Sequence, residues 1–515
     1  MQDAQPPTGP AGPAVNRRTA LKAGAAVAAA AATLETVGSL AFTPHRAGAA
    51  GAVTPSAITP NLPEIQFDIG PFLGGGAHAV QTINGVQVQF GPVFTVFSTY
   101  SLSRTPNRAD QAEMARALDT LENTFAFSPS GLFTFVSYGV PYFNRLPAGL
   151  VAAAVPRLSK DNNRFVLEEA IASPTDVRAN APDIVKQRFN VPVRIETNGV
   201  LFTLRSDSQA ILNNALAWLN GSNSLNGRAV RSPAFGGLLR NTSNRVMFQQ
   251  NGLPKQVANQ NNLPFRNFIN PQSPMWMGFA DQQTNSSGPA SICTFIGNAS
   301  DPGRTTARSG DYFDRGSIQH LSHVLMDMMQ FFDIPDGSTT PGDDGVFTER
   351  VQYMFTSPPI NRGNADQLTN GGGPAFLPNN FRGTGEALKT AQGIGTDIDP
   401  ETGQGERRIG HEAALQRFSR AADGTPIHIR MDGAGFDNMD VPGGGNLAKL
   451  QFTVFVPTAD FFALMRRNGA SLDLQNQFDI DEDENGLERF LTTTRRQNFL
   501  VPPRRHRAFP LVEFT

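Results

Sequence analysis

The same order of predicted strands and helices appears in both halves of the chain, and this repetition limits the fold more than any other feature of the sequence. In each half a strand precedes a helix, and further strands and a second helix follow. Strands and helices mixed along the chain in this way predict an α+β architecture of packed layers. The predicted strands are 85–102, 132–138, 199–204, 316–325, 427–431, 450–456 and a short closing edge strand at 499–503.

Local residues predict where several helices begin. Asn107 precedes apolar residues at helical spacing and is the expected N-cap of a helix over 108–125. Ser206 or Asp207 is the expected N-cap of the next helix. The stretch 334–405 is rich in Gly, Pro, Asn and Asp, which indicates an insertion or a set of surface loops. Further helices are predicted through 211–218, around 331 and over 458–468.

The N-terminus carries the pattern of an export signal. Paired Arg17 and Arg18, followed by Leu21 and Lys22, precede an Ala-rich run, as in twin-arginine signals. We therefore predict that 1–50 is a signal peptide with a disordered tail, that the twin-arginine translocase exports the chain, and that the mature protein is periplasmic or extracellular. A disordered Ala-rich tail without a signal is the alternative.

Charge and cysteine content exclude several classes of protein. The 515 residues have a formal net charge of −2, and only 17% are charged, so a nucleic-acid partner is not expected. The single cysteine, Cys293, excludes a disulfide or a thiolate cluster within the chain. Phe is common, at 38 residues, and can line a pocket for a flat apolar cofactor as well as build a core.

Three residues together indicate a haem peroxidase. Imidazole is a frequent axial ligand of haem iron, and His411 is the candidate here. Arg430 follows 19 residues later in an apolar-flanked strand, and its fixed positive charge suits stabilisation of the oxygen that leaves a peroxide. Upstream, Asp281 lies in the run Gly278-Phe279-Ala280-Asp281-Gln282 and offers a carboxylate for proton transfer.

Several stretches resemble the dye-decolourising (DyP-type) peroxidase superfamily. The run from Gly278 resembles its Gly-x-x-Asp-Gly motif, and His411 to Arg430 resembles its region of proximal histidine and distal arginine. This resemblance implies two ferredoxin-like halves, with antiparallel sheets and packed helices, in a dimeric α+β barrel-like fold. The implied halves are 64–270 and 271–515, and the second would bind the haem and contain the insertion at about 334–405.

The resemblance also assigns roles to the three residues. It implies one haem b per chain with His411 as the iron ligand, and both Asp281 and Arg430 bordering the haem. Asp281 would move a proton between the oxygens of hydrogen peroxide, and Arg430 would stabilise the developing charge. An organic substrate would be the reductant, and a homo-oligomer is possible. Gln282 stands where the family motif has glycine, so the direction of the Asp281 side chain, and with it peroxidase turnover, stays open.

Other residues compete for these roles. His320 and His323 are three apart on a strand and would face opposite sides, which disfavours joint metal binding. His428 would share a face with Arg430 and could line the same pocket. The acidic run 479–486 partly matches a calcium loop, but Thr492 replaces the expected Glu, and a solvated acidic loop is favoured over a calcium site.

Three functional hypotheses remain open. The first is an exported haem peroxidase that reduces hydrogen peroxide while it oxidises an organic substrate. The second is a protein of the same fold that binds haem, or handles haem and iron, without peroxidase turnover. The third is a secreted binding module that has no haem.

Overall fold

The computed structural model describes residues 62–515 except 84–85, 177–185, 187, 234, 279–286, 336–337, 339–384, 397 and 416. The predicted signal at 1–50 therefore lies outside the described residues, as does most of the predicted insertion at 334–405. Among the described residues, no helix has the length and apolar character needed to cross a membrane.

The first half of the described chain is built on four long strands and two long helices. The helix after the first long strand begins as predicted, since the Asn107 side chain accepts hydrogen bonds from the backbone N–H groups of Ala109 and Asp110. The elements are β1 Gln81–Ile83, β2 Val86–Val88, β3 Phe94–Leu102, α1 Arg108–Thr124, β4 Phe133–Gly139, α2 Val140–Phe143, α3 Ala148–Ala154, β5 Arg157–Leu158, β6 Asp161–Phe165, β7 Arg194–Ile195, β8 Val200–Ser206, α4 Gln209–Leu219, β9 Ser224–Leu225, β10 Arg228–Ala229, β11 Leu239–Phe248 and α5 Leu253–Gln260.

The second half repeats this plan with longer connections. Four long strands are again present. The helices that follow the first of these strands and precede the second belong to the segment of chain that also contains the predicted insertion. The elements are β12 Ser317–Met326, α6 Met328–Phe331, α7 Glu386–Ala391, α8 His411–Leu415, β13 Ile429–Asp437, β14 Leu447–Val456, α9 Ala459–Ala470, α10 Leu472–Phe478 and β15 Leu491–Val501.

The eight long strands form one closed antiparallel sheet. Their order is β12-β14-β13-β11-β3-β8-β4-β15, and β15 pairs back with β12 to close the ring. The short strand β7 adds to β15 in parallel orientation. Each of the eight long strands has a neighbour on both sides, although the ladders between β11 and β13 and between β15 and β4 are short. Closure divides the surroundings of the sheet into an interior and an outer face.

Each half of the ring has the ferredoxin-like strand order. Numbered within each half, the strands lie in the order 4-1-3-2, as β11-β3-β8-β4 in the first half and as β15-β12-β14-β13 in the second. The prediction of an α+β fold with two ferredoxin-like halves in a barrel-like arrangement is therefore confirmed. The boundaries at 64–270 and 271–515 stay predictions.

Gln319 identifies the interior of the ring. Its amide nitrogen donates to Thr203 Oγ1 at 3.1 Å and to Thr453 Oγ1 at 3.2 Å, and its amide oxygen accepts from Ser137 Oγ at 3.0 Å. Ser137 and Thr203 belong to β4 and β8, which are not neighbours of β12. These bonds therefore cross the barrel, and residues of the same parity on each strand line its interior.

Two predictions about the elements are wrong. The N-cap of α4 is Ser208, and not Ser206 or Asp207, because β8 continues through Ser206 and the Asp207 carboxylate accepts the backbone N–H of Val93 at 3.0 Å. The predicted short edge strand at 499–503 is the end of β15, an 11-residue strand that pairs with both β12 and β4. Pro502 and Pro503 follow this strand and mark its end.

Candidate functional site

Arg430 lies on the outer face of the sheet in the second half. It pairs with Val454 of β14, and Val454 pairs with His320 of β12, so the three side chains share one face. Two residues further along β13, Asp432 lies on the same face opposite Phe452. Arg430 is half-buried, and burial lowers the pKa of its guanidinium while the Asp432 carboxylate opposes that effect.

Helix α9 covers this outer face. Phe462 stacks on the His320 ring with a centroid separation of 3.7 Å and also contacts Phe452, at 6.0 Å. Both nitrogens of His320 are hydrogen-bonded, to Asn498 Oδ1 at 2.7 Å and to Ser322 Oγ at 2.6 Å. His320 is therefore a structural residue that fixes the helix on the sheet.

His411 is the first residue of α8, which packs against both α9 and α7. Ala413 and Ala414 of this helix lie in a small apolar cluster with Ile409, which precedes the helix, and Leu474. The His411 side chain is half-buried, and burial lowers its pKa to about 4, with the Glu488 carboxylate raising it and Arg466 lowering it. The imidazole is consequently neutral near pH 7, which is the form that binds metals.

A buried ion pair lies within electrostatic range of His411. Arg466 Nη2 of α9 donates to both carboxylate oxygens of Glu488, at 2.9 and 3.0 Å, and Thr175 Oγ1 also donates to Glu488. Burial opposes ionisation of Glu488, but Arg466, Thr175 and Lys186 outweigh it and hold the pKa of Glu488 below its usual value. Glu488 is thus a fixed negative charge near His411. No sequence pattern marked either Glu488 or Arg466, since the two lie in separate elements.

Phe418 connects the His411 segment to the strand that carries Arg430. It contacts the ring of His428 edge-on at a centroid separation of 6.0 Å. It also packs on Gly469 of α9, where an added Cβ would lie 2.7 Å from Phe418 Cε1. His428 is fully buried and, being two residues before Arg430, has the same parity along the chain. The structure therefore brings α8, α9 and the start of β13 into one layer.

The remaining predicted site residues are placed differently. Asp281 and Gln282 lie outside the described residues. His323 faces the barrel interior, opposite to His320, and Trp276 is buried with its Nε1 donating to Gly435 O at 3.1 Å. Among the described residues, no group of three or more His, Cys, Asp or Glu side chains could hold a metal ion. A single axial histidine, as proposed for haem, does not require such a group.

The chain belongs to a family of unknown function (DUF7405), whose model matches residues 92–503. None of the curated proteins matches the sequence at a significant level.

The chain is similar to several solved structures of DyP-type peroxidases. A putative member from Shewanella oneidensis is 14% identical, with a TM-score of 0.44 over 83% of this chain and 96% of that one. The enzyme from Cellulomonas bogoriensis is 13% identical, with a TM-score of 0.45 over 84% and 96%. A variant of DypB from Rhodococcus jostii, solved in complex with haem, is 12% identical, with a TM-score of 0.42 over 81% and 95%. The fold class rests on the strand order of the closed sheet.

Proposed function

We propose that this protein is an exported haem-dependent peroxidase that reduces hydrogen peroxide and oxidises an organic substrate. The observation that carries the proposal is the shared layer of His411 and Arg430. His411 lies on α8, α8 packs against α9, and α9 covers the same sheet face on which Arg430 stands. Export through the twin-arginine pathway is part of the proposal and depends on the N-terminal sequence alone.

The residues of this layer fit a haem in their donor chemistry. His411 offers a neutral, half-buried imidazole that could bind iron, and Arg430 offers a partly desolvated cation on the sheet beside it. Aromatic side chains of Phe418, Phe452 and Phe462 lie in the same layer and suit a flat apolar ring system. Haem b, one per chain, would supply the iron that binds and reduces the peroxide.

The protein's own groups would then hold the haem and control charge and protons. His411 would hold the haem iron through its imidazole, whose pKa the Glu488 carboxylate raises and Arg466 lowers. Arg430 would orient hydrogen peroxide and stabilise negative charge on the departing oxygen. Asp281, on the motif that resembles the family's, would carry the proton from one peroxide oxygen to the other.

The first experiment is an absorption spectrum of the mature protein purified with haem supplied. A Soret band that is lost in His411→Ala, but kept in the control His506→Ala, would support the axial ligand. His506 is a fair control because it lies after β15, in the C-terminal segment, where its ring stacks on Tyr312. A folded wild-type protein without a Soret band would overturn the proposal and favour a haem-free binding module.

A haem-binding protein without turnover is the second candidate, favoured by Gln282 in place of the motif glycine. It predicts a Soret band that does not change when hydrogen peroxide is added. A rapid spectral change followed by oxidation of an added phenolic dye would instead support the peroxidase.

A homo-oligomer is a further proposal, which light scattering of the mature protein would test.

A further inference from the structure

Residues 74–83 and 86–91, here called the strap, precede β3 and include both β1 and β2. The described side chains of the strap are exposed or half-buried, except that of His78, which is only 7% exposed. Gly74 and Gly76, near the start of the strap, have positive φ and open space where a Cβ would be. A segment that buries so little apolar surface depends strongly on its one buried polar side chain to stay in place.

Both ring nitrogens of His78 lie within hydrogen-bond distance of an oxygen that can only accept. Nε2 is 2.8 Å from Asp207 Oδ2, just after β8, and Nδ1 is 2.9 Å from Phe90 O at the other end of the strap. The two bonds can form together only when both nitrogens carry a proton. In the neutral imidazole one nitrogen would present a lone pair to an acceptor oxygen, so loss of the proton weakens the attachment.

Asp207 connects the two ends of the strap to β8. Its Oδ2 accepts from His78 near the start of the strap, and its Oδ1 accepts the backbone N–H of Val93, two residues after the end, at 3.0 Å. Gln89, by contrast, donates within the strap, to His78 O at 3.0 Å. The strap itself contains no Asp, Glu, Lys or Arg, so the charged partner of His78 is Asp207, which also acts on Arg205.

The end of the strap lies on Arg205. Arg205 has the parity of Thr203 on β8 and therefore faces the barrel interior, where its Nε donates to Thr95 Oγ1 at 3.1 Å. A Cβ added to Gly91 of the strap would be 2.8 Å from Arg205 Nη2. Burial lowers the pKa of Arg205 to about 10, although the Asp207 carboxylate opposes this effect. Displacement of the strap would return this desolvated cation to water, which favours opening once the attachment at His78 is weakened.

We propose that His78 is a pH-sensitive latch, which holds the strap on the Arg205 end of the barrel when it is protonated and releases the strap when it loses its proton. The hydrogen bond to Asp207 raises the pKa of His78 in the closed form, whereas in the open form the ring is solvated and titrates near its ordinary value of 6.5. Protonation therefore favours closure fully below pH 6.5, and this preference is lost as pH rises through the higher closed-form pKa. The latch does not depend on haem binding.

Hydrogen–deuterium exchange of the mature protein, measured by mass spectrometry between about pH 5.5 and about pH 8.5, tests the latch. After correction for the intrinsic pH dependence of exchange, protection of the strap amides should fall about tenfold or more, the equivalent of one hydrogen bond to a charged group. The amides of β3 should stay protected, because the sheet remains closed. His78→Gln should lower the protection of the strap at acidic pH and remove its pH dependence. The control His506→Gln, after β15, should keep the wild-type profile.

Modification of arginine by phenylglyoxal tests what the strap covers. At a fixed pH of about 6, where the wild-type latch is closed, Arg205 should react faster in His78→Gln than in the wild type. Arg240 of β11 is exposed and should react equally in both, so it serves as the internal reference. The proposal is overturned if protection of the wild-type strap does not change with pH, if β3 loses protection in parallel, or if His78→Gln keeps the wild-type profile. Equal modification of Arg205 in the two proteins would also overturn it.

Discussion

Arg430 and His320 oppose the same residue, Val454, from the two strands that flank β14. Adjacent strands lie about 4.8 Å apart, so the two side chains start roughly 10 Å from one another on the outer face. His320 is fixed beneath Phe462 of α9, whereas Arg430 lies on β13, two strands further from β15. The tight packing at His320 therefore positions the layer in which Arg430 and His411 are expected to act.

Replacing Arg430 should separate haem binding from peroxide cleavage. Arg430→Leu is expected to keep the Soret band and to slow the reaction with hydrogen peroxide about 10²–10³-fold, the usual cost of losing one charge-stabilising donor. Stopped-flow absorption measures this rate. The control Arg420→Leu is near in sequence but precedes β13, and a rate reduced equally in both variants would show that Arg430 has no special role.

Replacing Asp281 tests the proton carrier that the motif suggests. Asp281→Asn removes the carboxylate without changing its size, so haem binding should be kept and peroxide cleavage slowed about 10²–10⁴-fold, the range of general acid–base catalysis. Gln282→Gly restores the motif glycine and should raise the rate if backbone freedom at that position limits the wild type. An unchanged rate in Asp281→Asn would remove Asp281 from the mechanism.

The contact of Gly469 with Phe418 should be sensitive to a single methyl group. Gly469→Ala places Cβ 2.7 Å from Phe418 Cε1, so the free energy of unfolding should fall by about 1–3 kcal/mol through overpacking. Gly149→Ala is the control, because Gly149 lies in helix α3 with no atom within 4 Å of an added Cβ. It should leave stability unchanged or raise it by up to about 1 kcal/mol. Urea denaturation measures both, and equal effects would contradict the packing argument.

His78 should make stability depend on pH. Its Nε2 bonds to Asp207 Oδ2 at 2.8 Å and its Nδ1 to Phe90 O at 2.9 Å, so both nitrogens donate only when the ring is protonated. The hydrogen bond to Asp207 raises the pKa of His78 above 6.5, although burial opposes it. The stabilisation is therefore complete below pH 6.5 and is lost as pH rises through the higher folded-state pKa. His78→Asn should remove this part of the pH dependence of the unfolding midpoint, and an unchanged pH profile would refute the assignment.

Local signals in the sequence predicted the first helix well, because its start depends on neighbouring residues only. The side chains of Asn107 and Asp110 cap one another's backbone within four residues, so no tertiary information was needed. The start of α4 was missed because Ser206, Asp207 and Ser208 are all good caps. The choice among the three residues as N-cap depends on tertiary contacts. Ser206 pairs with β3 as part of β8, and the Asp207 carboxylate is hydrogen-bonded to Val93 N and His78 Nε2.

The length of β15 was missed because the barrel interior is polar along much of this strand. Alternating apolar residues normally indicate a strand with one buried face. Along β15, however, Arg495 and Gln497 point into the barrel, while Arg496 and Asn498 on the other face bond to Asp176 and to His320. Neither face is apolar, so no alternation marks the strand. The resemblance named His411 and Arg430, but it could not indicate Glu488, whose place beside His411 results from tertiary packing.

The two seams that close the ring differ from the rest of the sheet. Backbone pairing joins the halves through two residue pairs between β15 and β4, Phe499–Gly139 and Leu500–Tyr138, through a single pair between β11 and β13, Phe248–Ala434, and through the short parallel pairing of β7 with β15. By contrast, β12 pairs with β15 along its whole length within the second half. Few backbone hydrogen bonds join the halves, whereas one hydrophobic core is continuous across both of them. Side chains also cross the junction, from Tyr138 Oη to Arg507 O and from Gln319 Nε2 to Thr203 Oγ1. The association of the halves therefore depends on side-chain packing more than on the backbone ladder of the sheet.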